Sequence, residues 1–118
     1  MSPDLKETLQ HDLTTAVRSR DEVRKRVLRV VMSYIHSAEA RDATVEHPVA
    51  RDLSDAEITQ VLSDDADRRR RVIATYESAG RDDQAATERA ELAVLEGYLA
   101  QRPGTELREA VGDADAIT

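Results

Sequence analysis

The sequence predicts an all-α fold: an antiparallel bundle of four helices, with one long third helix and a short C-terminal helical stub. Three observations predict it. Apolar residues recur at helical spacing along most of the chain, beginning with Leu5, Leu9, Leu13 and Val17. Residues that start and stop helices punctuate that pattern at suitable intervals. Phe and Trp are absent, so a core must be built from Leu, Val, Ile, Ala, Met and Tyr. Such side chains suit closely packed helices better than a β-sandwich.

In chain order, Ser2 and Pro3 open the first helix, as N-cap and first-turn residue. The stripe Leu5, Leu9, Leu13, Val17 leaves Lys6, Glu7, Gln10 and Asp12 off the apolar face, and the helix ends near 18–20. Asp21 caps the second helix, with Glu22 in its first turn, where the helix dipole favours an acid. Val23, Val27, Val30 or Val31, Tyr34 or Ile35, and Ala38 give its buried face. Leu28, Val30, Met32 and Tyr34 would also suit a strand, but the helical period lasts four turns and no hairpin turn adjoins it. Residues 41–53, with Pro48, read as a loop.

Ser54 and Glu57 form a capping box for the third helix, which runs to Ala79 and stops at Gly80. It would be roughly 39 Å long at about 1.5 Å per residue. Its middle, Ser63 to Arg71, carries one small apolar residue, Ala66, and is expected to be the least buried segment. Asp82 caps a fourth helix to Leu99. Leu92, Leu95 and Leu99 form its apolar stripe; Ala86, Ala90, Ala93 and Gly97 form a small-residue stripe suited to close helix approach. Pro103 and Gly104 end the order, with a short helix expected at Thr105 to Val111. Residues 1–100 therefore read as one helical domain and 101–118 as a tail.

The chain has 118 residues, 35% of them charged, and a formal net charge of −7. So acidic a total argues against a general nucleic-acid binder, though it permits a local basic face. Cysteine is absent, which removes disulfide, thiol and cysteine–zinc chemistry. No signal peptide is apparent and no apolar run approaches the ~20 residues of a membrane span. A soluble, cytoplasmic protein is the expectation.

Candidate chemistry is sparse. His11, His36 and His47 are scattered, with no metal-pair spacing. With four glycines and no phosphate-cradling motif, no catalytic residue, cofactor or metal site is expected. Asp64, Asp65 and Asp67 precede Arg68, Arg69, Arg70 and Arg71, so that Asp64–Arg68, Asp65–Arg69 and Asp67–Arg71 are acid-first i,i+4 pairs. They predict a salt-laced, solvated helix; the competing reading is an arginine face for phosphate. Arg18, Arg20, Arg24, Lys25, Arg26 and Arg29 form a second basic cluster. Arg24, Lys25, Arg68, Arg69, Arg70 and Arg71 are accordingly the candidate nucleic-acid or partner-binding residues, one patch if helices two and three present them together. Tyr34, Tyr76 and Tyr98 are expected to pack in the core with hydroxyls at its rim; the competing reading is stacking on bases.

Three stretches resemble one family. Residues 5–39, LKETLQHDLTTAVRSRDEVRKRVLRVVMSYIHSAE, resemble the opening of YqeY-like proteins: an amphipathic helix, an Arg-Asp junction and a second helix. Residues 53–62, LSDAEITQVL, resemble the start of that family's third helix. Residues 79–99, AGRDDQAATERAELAVLEGYL, resemble its turn and fourth helix, with Ala100 where a proline is usual. The resemblance, to the GatB/YqeY family, implies homology to the C-terminal region of GatB, a subunit of glutamine-dependent aspartyl/glutamyl-tRNA amidotransferase. It implies a label of carbon–nitrogen ligase with glutamine as amido donor. In GatB this region is associated with holding tRNA, while the chemistry lies elsewhere. The family continues into a second small helical domain, which this chain is expected to lack.

The sequence reading is therefore a non-catalytic helical module that binds tRNA or a protein of the translation machinery. The rivals are an auxiliary part of a tRNA amidotransferase and a structural or oligomerising module.

Overall fold

Polar caps and apolar faces set four helices in the order α1 (Leu5–Ser19), α2 (Glu22–Asp42), α3 (Asp55–Ser78) and α4 (Asp82–Leu99). The computed structural model describes residues 4–42 and 51–101. No strand occurs among them, and the strand-like stretch 26–35 lies within α2. Ser2, Pro3, Pro48 and the expected stub at Thr105 to Val111 lie outside the described residues.

Helix α1 is capped by Asp4, not opened by Ser2 and Pro3: the Asp4 carboxylate accepts the Glu7 N–H at 2.8 Å. The turns closing α1 and α3 share one construction. Asp21 N–H donates to the Ala16 carbonyl at 2.9 Å and Arg20 N–H to Val17 at 3.3 Å. Arg81 N–H donates to Tyr76 at 2.8 Å and Gly80 N–H to Glu77 at 3.1 Å. Both are Schellman terminations, which satisfy carbonyls left over at a helix end. Their left-handed residues are Gly80 (φ 71°) and Arg20 (φ 59°). Asp21 then caps α2, accepting the Arg24 N–H at 3.1 Å. The Ser54–Glu57 capping box forms. Asp82 does not cap α4; Arg81 holds that position without a side-chain bond, and Asp82 begins the helix.

Helices α1 and α2 pack as one hairpin, and α3 and α4 pack more extensively as a second; α2 also meets both α3 and α4. The core between them holds Leu9, Val27, Leu28, Val31, Ile35, Ile58, Leu62 and Leu95, all fully buried. Among the described residues, no helix is long and apolar enough to cross a membrane.

One expected face turns out rotated, that of α1, and the open register of α2 is decided for Val31 and Ile35. In α1, Leu5, Leu9 and Ala16 are buried while Val17 is 46% exposed. A four-residue repeat overshoots the 3.6-residue turn, so Val17 sits roughly 120° around from Leu5, whereas Ala16 returns to within about 20°. In α2 the buried set is Val27, Leu28, Val31, Met32, Ile35 and Glu39, leaving Val30 and Tyr34 exposed. The small-residue stripe of α4 also differs: Ala86, Ala90, Ala93 and Gly97 are exposed, and a Cβ on Gly97 would meet nothing within 4 Å.

The middle of α3 is the largest departure. Asp65, Ala66 and Arg69 are buried, although Ser63 to Arg71 carries the chain's densest charge. This one face of the segment can be buried because the charges on it are balanced. Arg69 donates to Asp65 at 3.2 Å, to Glu88 at 3.1 Å and to Glu91 at 2.6 Å. Arg68 donates to Asp65 at 2.5 Å, and Arg26 lies 3.7 Å from Glu91. Three carboxylates meet three guanidiniums, so α4 can cover this stretch without stranding an unpaired charge. Burial works against the Arg69 charge, but Asp65 and Glu91 outweigh it and hold its pKa above the ordinary arginine value.

A second polar knot ties the start of α1 to the others. Lys6 donates to both Glu39 oxygens at 3.0 Å and to Asp52 at 2.9 Å, and buried Glu39 also accepts the Leu53 N–H at 2.9 Å. Leu5 N–H donates to Asp55 at 3.0 Å.

Candidate functional site

The two arginine clusters meet different fates. Of the pairs expected in α3, only Asp65–Arg69 forms at i,i+4. Arg68 pairs with Asp65 and Arg70 with Asp67, both at i,i+3, and Gln60 donates to Asp64. Arg70 also reaches Glu96 on α4 at 3.3 Å. Arg69 is buried and cannot meet a phosphate from outside. Arg71 forms no ion pair among the described residues. An internal network thus occupies most of this arginine run.

The α1–α2 corner keeps its charge. Residues 18–29 hold six basic side chains against two acidic ones, Asp21 and Glu22. Arg24 pairs with Asp21 at 3.5 Å and Lys25 with Glu22 at 2.6 Å. Arg18, Arg20 and Arg29 are exposed and form no ion pair among the described residues. Lys25, Arg26 and Arg29 act on one carboxyl: Lys25's hydrogen bond, then the nearby Arg26 and Arg29 charges, hold Glu22 below its ordinary range. The left-handed Arg20 is unusual as well, since that conformation costs a non-glycine residue about 1 kcal/mol.

Arg24 and Lys25 do not join Arg68 and Arg71 in one hollow. Arg24 lines a depression of about 220 Å³ with Thr8, Asp12, Tyr98 and Gln101. There the Tyr98 hydroxyl donates to Asp12 at 2.5 Å. Burial, then the Asp12 bond, pushes its pKa well above the ordinary 10.0. Arg68 lies elsewhere, between α2 and α3, where its guanidinium is 4.8 Å from the centre of the Tyr34 ring. Two hollows of about 190 and 290 Å³ share Arg68. Tyr34, Ala38, Arg41, Val61 and Asp64 line the first, and Arg71, Val72 and Tyr76 the second. So Tyr98 packs as expected and Tyr76 is half-buried, whereas Tyr34 is 40% exposed.

A family model described as Yqey-like protein matches residues 6–116, nearly the whole chain. The chain belongs to the YqeY-like family. It is also 27% identical over 111 residues to "Altered inheritance of mitochondria protein 41, mitochondrial" of Eremothecium gossypii. The match covers 92% of this chain and 56% of that relative, so the chain spans little more than half the relative's length.

In this YqeY-like chain the described residues contain no group of three or more His, Asp or Glu able to hold a metal ion. His11 and His36 are exposed on separate helices. The buried carboxylates of the YqeY-like fold are engaged by Arg69 and Lys6, which leaves structural roles for them. Sequence reasoning missed Arg41 and Tyr34, which line a hollow beside Arg68. The signal available was the either-or register of α2: choosing Val31 and Ile35 as buried forces Val30 and Tyr34 outward.

Proposed function

We propose that this YqeY-like chain is a non-catalytic accessory module that binds tRNA through the α1–α2 corner. The carrying observation is a local excess of positive charge on an acidic protein, with Arg20 held in a conformation that glycine would adopt more easily. Strain kept at an exposed cation fits a binding role better than a folding one. The family's resemblance to the tRNA-associated region of GatB supports the same reading. Arg18, Arg20 and Arg29 carry the phosphate contacts, together with Arg24 and Lys25, whose partners are surface acids and are readily exchanged. The inheritance phenotype in the relative's name belongs to that protein and specifies no ligand.

Retention of unfractionated tRNA on a filter, from about 50 to about 200 mM salt, tests this. With about four phosphates engaged, the log–log salt slope should be roughly −3 to −4. Arg20→Gly with Arg29→Glu should weaken binding about tenfold and flatten the slope by roughly 2. Arg68→Ala should change it less than about twofold, since its guanidinium is committed to the buried Asp65. No retention at the lowest salt sinks the proposal.

A second reading, a structural or oligomerising module, has one observation in its favour: the exposed small-residue stripe of α4. Sedimentation above the 13.1 kDa of one chain would support it. The amidotransferase-subunit reading rests on the GatB resemblance, and a change in glutamine-dependent amidation on adding the chain would support it.

A further inference from the structure

We infer that the hollow between α1 and α4 takes one unstacked guanine base from an RNA strand held at the α1–α2 corner. This assignment rests on tRNA binding at the corner and adds to it the base that is read. The hollow has a cause in the packing. Helices α1 and α4 each pack on α2 but hardly on each other, and the Tyr98 hydroxyl bridges the gap by donating to Asp12. Asp12 comes from α1, Arg24 from α2, and Ala93, Val94, Gly97 and Tyr98 from α4. Small residues form part of the α4 wall. Ala93 and Gly97 are exposed, and a Cβ added at Gly97 would meet nothing within 4 Å, so a flat ring can lie against the helix there. At about 220 Å³ the hollow is smaller than the roughly 300–1,000 Å³ of sites for drug-sized ligands. It suits a single ring system, with sugar and phosphate left outside.

One acid and one base line the hollow, and together they select the ring. Asp12 and Arg24 are both half-buried, yet no ion pair joins them among the described residues; Arg24 pairs with exposed Asp21 at 3.5 Å. Asp12 accepts the Tyr98 hydroxyl on Oδ2, while its Oδ1 accepts no hydrogen bond among the described residues. Burial, then the Asp12 bond, holds the Tyr98 pKa above the ordinary 10.0, so the hydroxyl stays a donor. The hollow thus offers spare acceptor capacity from a carboxylate and donors from a guanidinium, and neither group can serve in the other's role. A base that answers both needs neighbouring donors and neighbouring acceptors. Guanine has them: N1–H and the N2 amino group side by side, then O6 and N7, the pair that arginine reads bidentately. Adenine, cytosine and uracil each carry a donor at a single position, which leaves the carboxylate less well met. Arg24 belongs to the corner as well as to the hollow, so one strand can meet phosphate contacts and the base contact together.

The test uses the full chain and fluorescein-labelled RNA pentamers UUGUU, UUAUU, UUCUU and UUUUU, followed by fluorescence anisotropy at about 50 mM salt. UUGUU should bind at least about tenfold more tightly than the other three, as a bidentate base contact discriminates. Gly97→Leu fills the open space beside the ring and suits a helix better than glycine does; it should abolish that preference. Asp12→Asn, with a near-parental thermal melt as control, replaces acceptor capacity with a donor. It should weaken UUGUU about tenfold and leave UUUUU unchanged. Arg18→Glu with Arg29→Glu should weaken all four pentamers alike. Guanosine 5′-monophosphate should bind at least about tenfold more weakly than UUGUU, since it lacks the neighbouring phosphates. Equal binding of the four pentamers, a preference undiminished in Gly97→Leu, or no pentamer binding at about 1 mM overturns the guanine site. The corner survives those results if tRNA is retained and Arg20→Gly with Arg29→Glu weakens it. Guanosine 5′-monophosphate binding as tightly as UUGUU overturns RNA as the source of the base. A guanine preference that resists the corner reversals, with tRNA not retained, strikes the corner and keeps the hollow.

Discussion

Arg69 shows how one side chain changes the meaning of its neighbours. On the sequence it is one of four consecutive arginines on a charged helix. In the fold it satisfies Asp65, Glu88 and Glu91 at once. Removing it would leave three acids clustered with only Arg68 and Arg26 at the periphery, and an uncompensated buried charge is costly. Arg69→Met should therefore lower stability by about 3–5 kcal/mol in urea unfolding, whereas Arg71→Met should stay within about 0.5 kcal/mol. Equal effects would mean that the cluster is not buried as described. The candidate binding residues divide by the same logic: those held by buried acids are structural, and those with surface partners or none can meet other molecules.

Helix ends and helix faces make predictions at the scale of elements. The α3 capping box is reinforced by Arg51, which donates to both Glu57 oxygens at 2.9 and 3.0 Å. Arg51's bond, then those from Ser54, lower the Glu57 pKa from 4.5 to about 2. A depressed folded-state pKa gives stability that is complete above the unfolded value and lost as pH falls toward the folded one. Glu57→Gln should therefore be less stable than the parent at pH 7, and the difference should shrink between about pH 4.5 and about pH 2. A difference that stays constant over that window, followed by thermal melts, would remove the carboxylate from the cap.

The face of α1 offers a second test. Val17→Ser should be nearly neutral, within about 0.5 kcal/mol, because the side chain is largely in water. Ala16→Leu should cost about 1–3 kcal/mol by overpacking a closed site. The four-residue leucine repeat predicts the reverse ordering, so denaturant midpoints of the two variants decide the register.

The whole molecule is two hairpins of unequal contact. The α3–α4 pair shares the longer interface and the buried charge cluster; α1 is joined to the rest through α2, the Lys6 knot and a slighter contact with α3. Native-state hydrogen exchange should give the highest protection along the middle of α3 and the facing part of α4, with α1 opening at lower free energy. Uniform protection across all four helices would argue against that division. The order runs against hydrophobicity: the most charged helix segment is expected to be among the slowest to exchange, because its charges are paired across the tighter interface.

Much was legible in the sequence because it depends on neighbours along the chain. The Ser54 box, the Asp21 cap, the Gly80 stop and the Leu92, Leu95, Leu99 stripe each involve residues within a few positions, where helix geometry alone fixes who meets whom. Class and helix order followed from them. Which arginines remain free could not be read that way. The partners Glu88 and Glu91 of Arg69 lie 19 and 22 positions away, and Asp12 lies 86 from Tyr98. Local spacing determined the four helices and most of their ends, though not the caps of α1 and α4. Only their packing decided that Arg69 is interior, that Tyr34 faces outward, and that Arg18, Arg20 and Arg29 form no ion pair among the described residues, because pairing a charge across two helices depends on distances that no one-dimensional period contains.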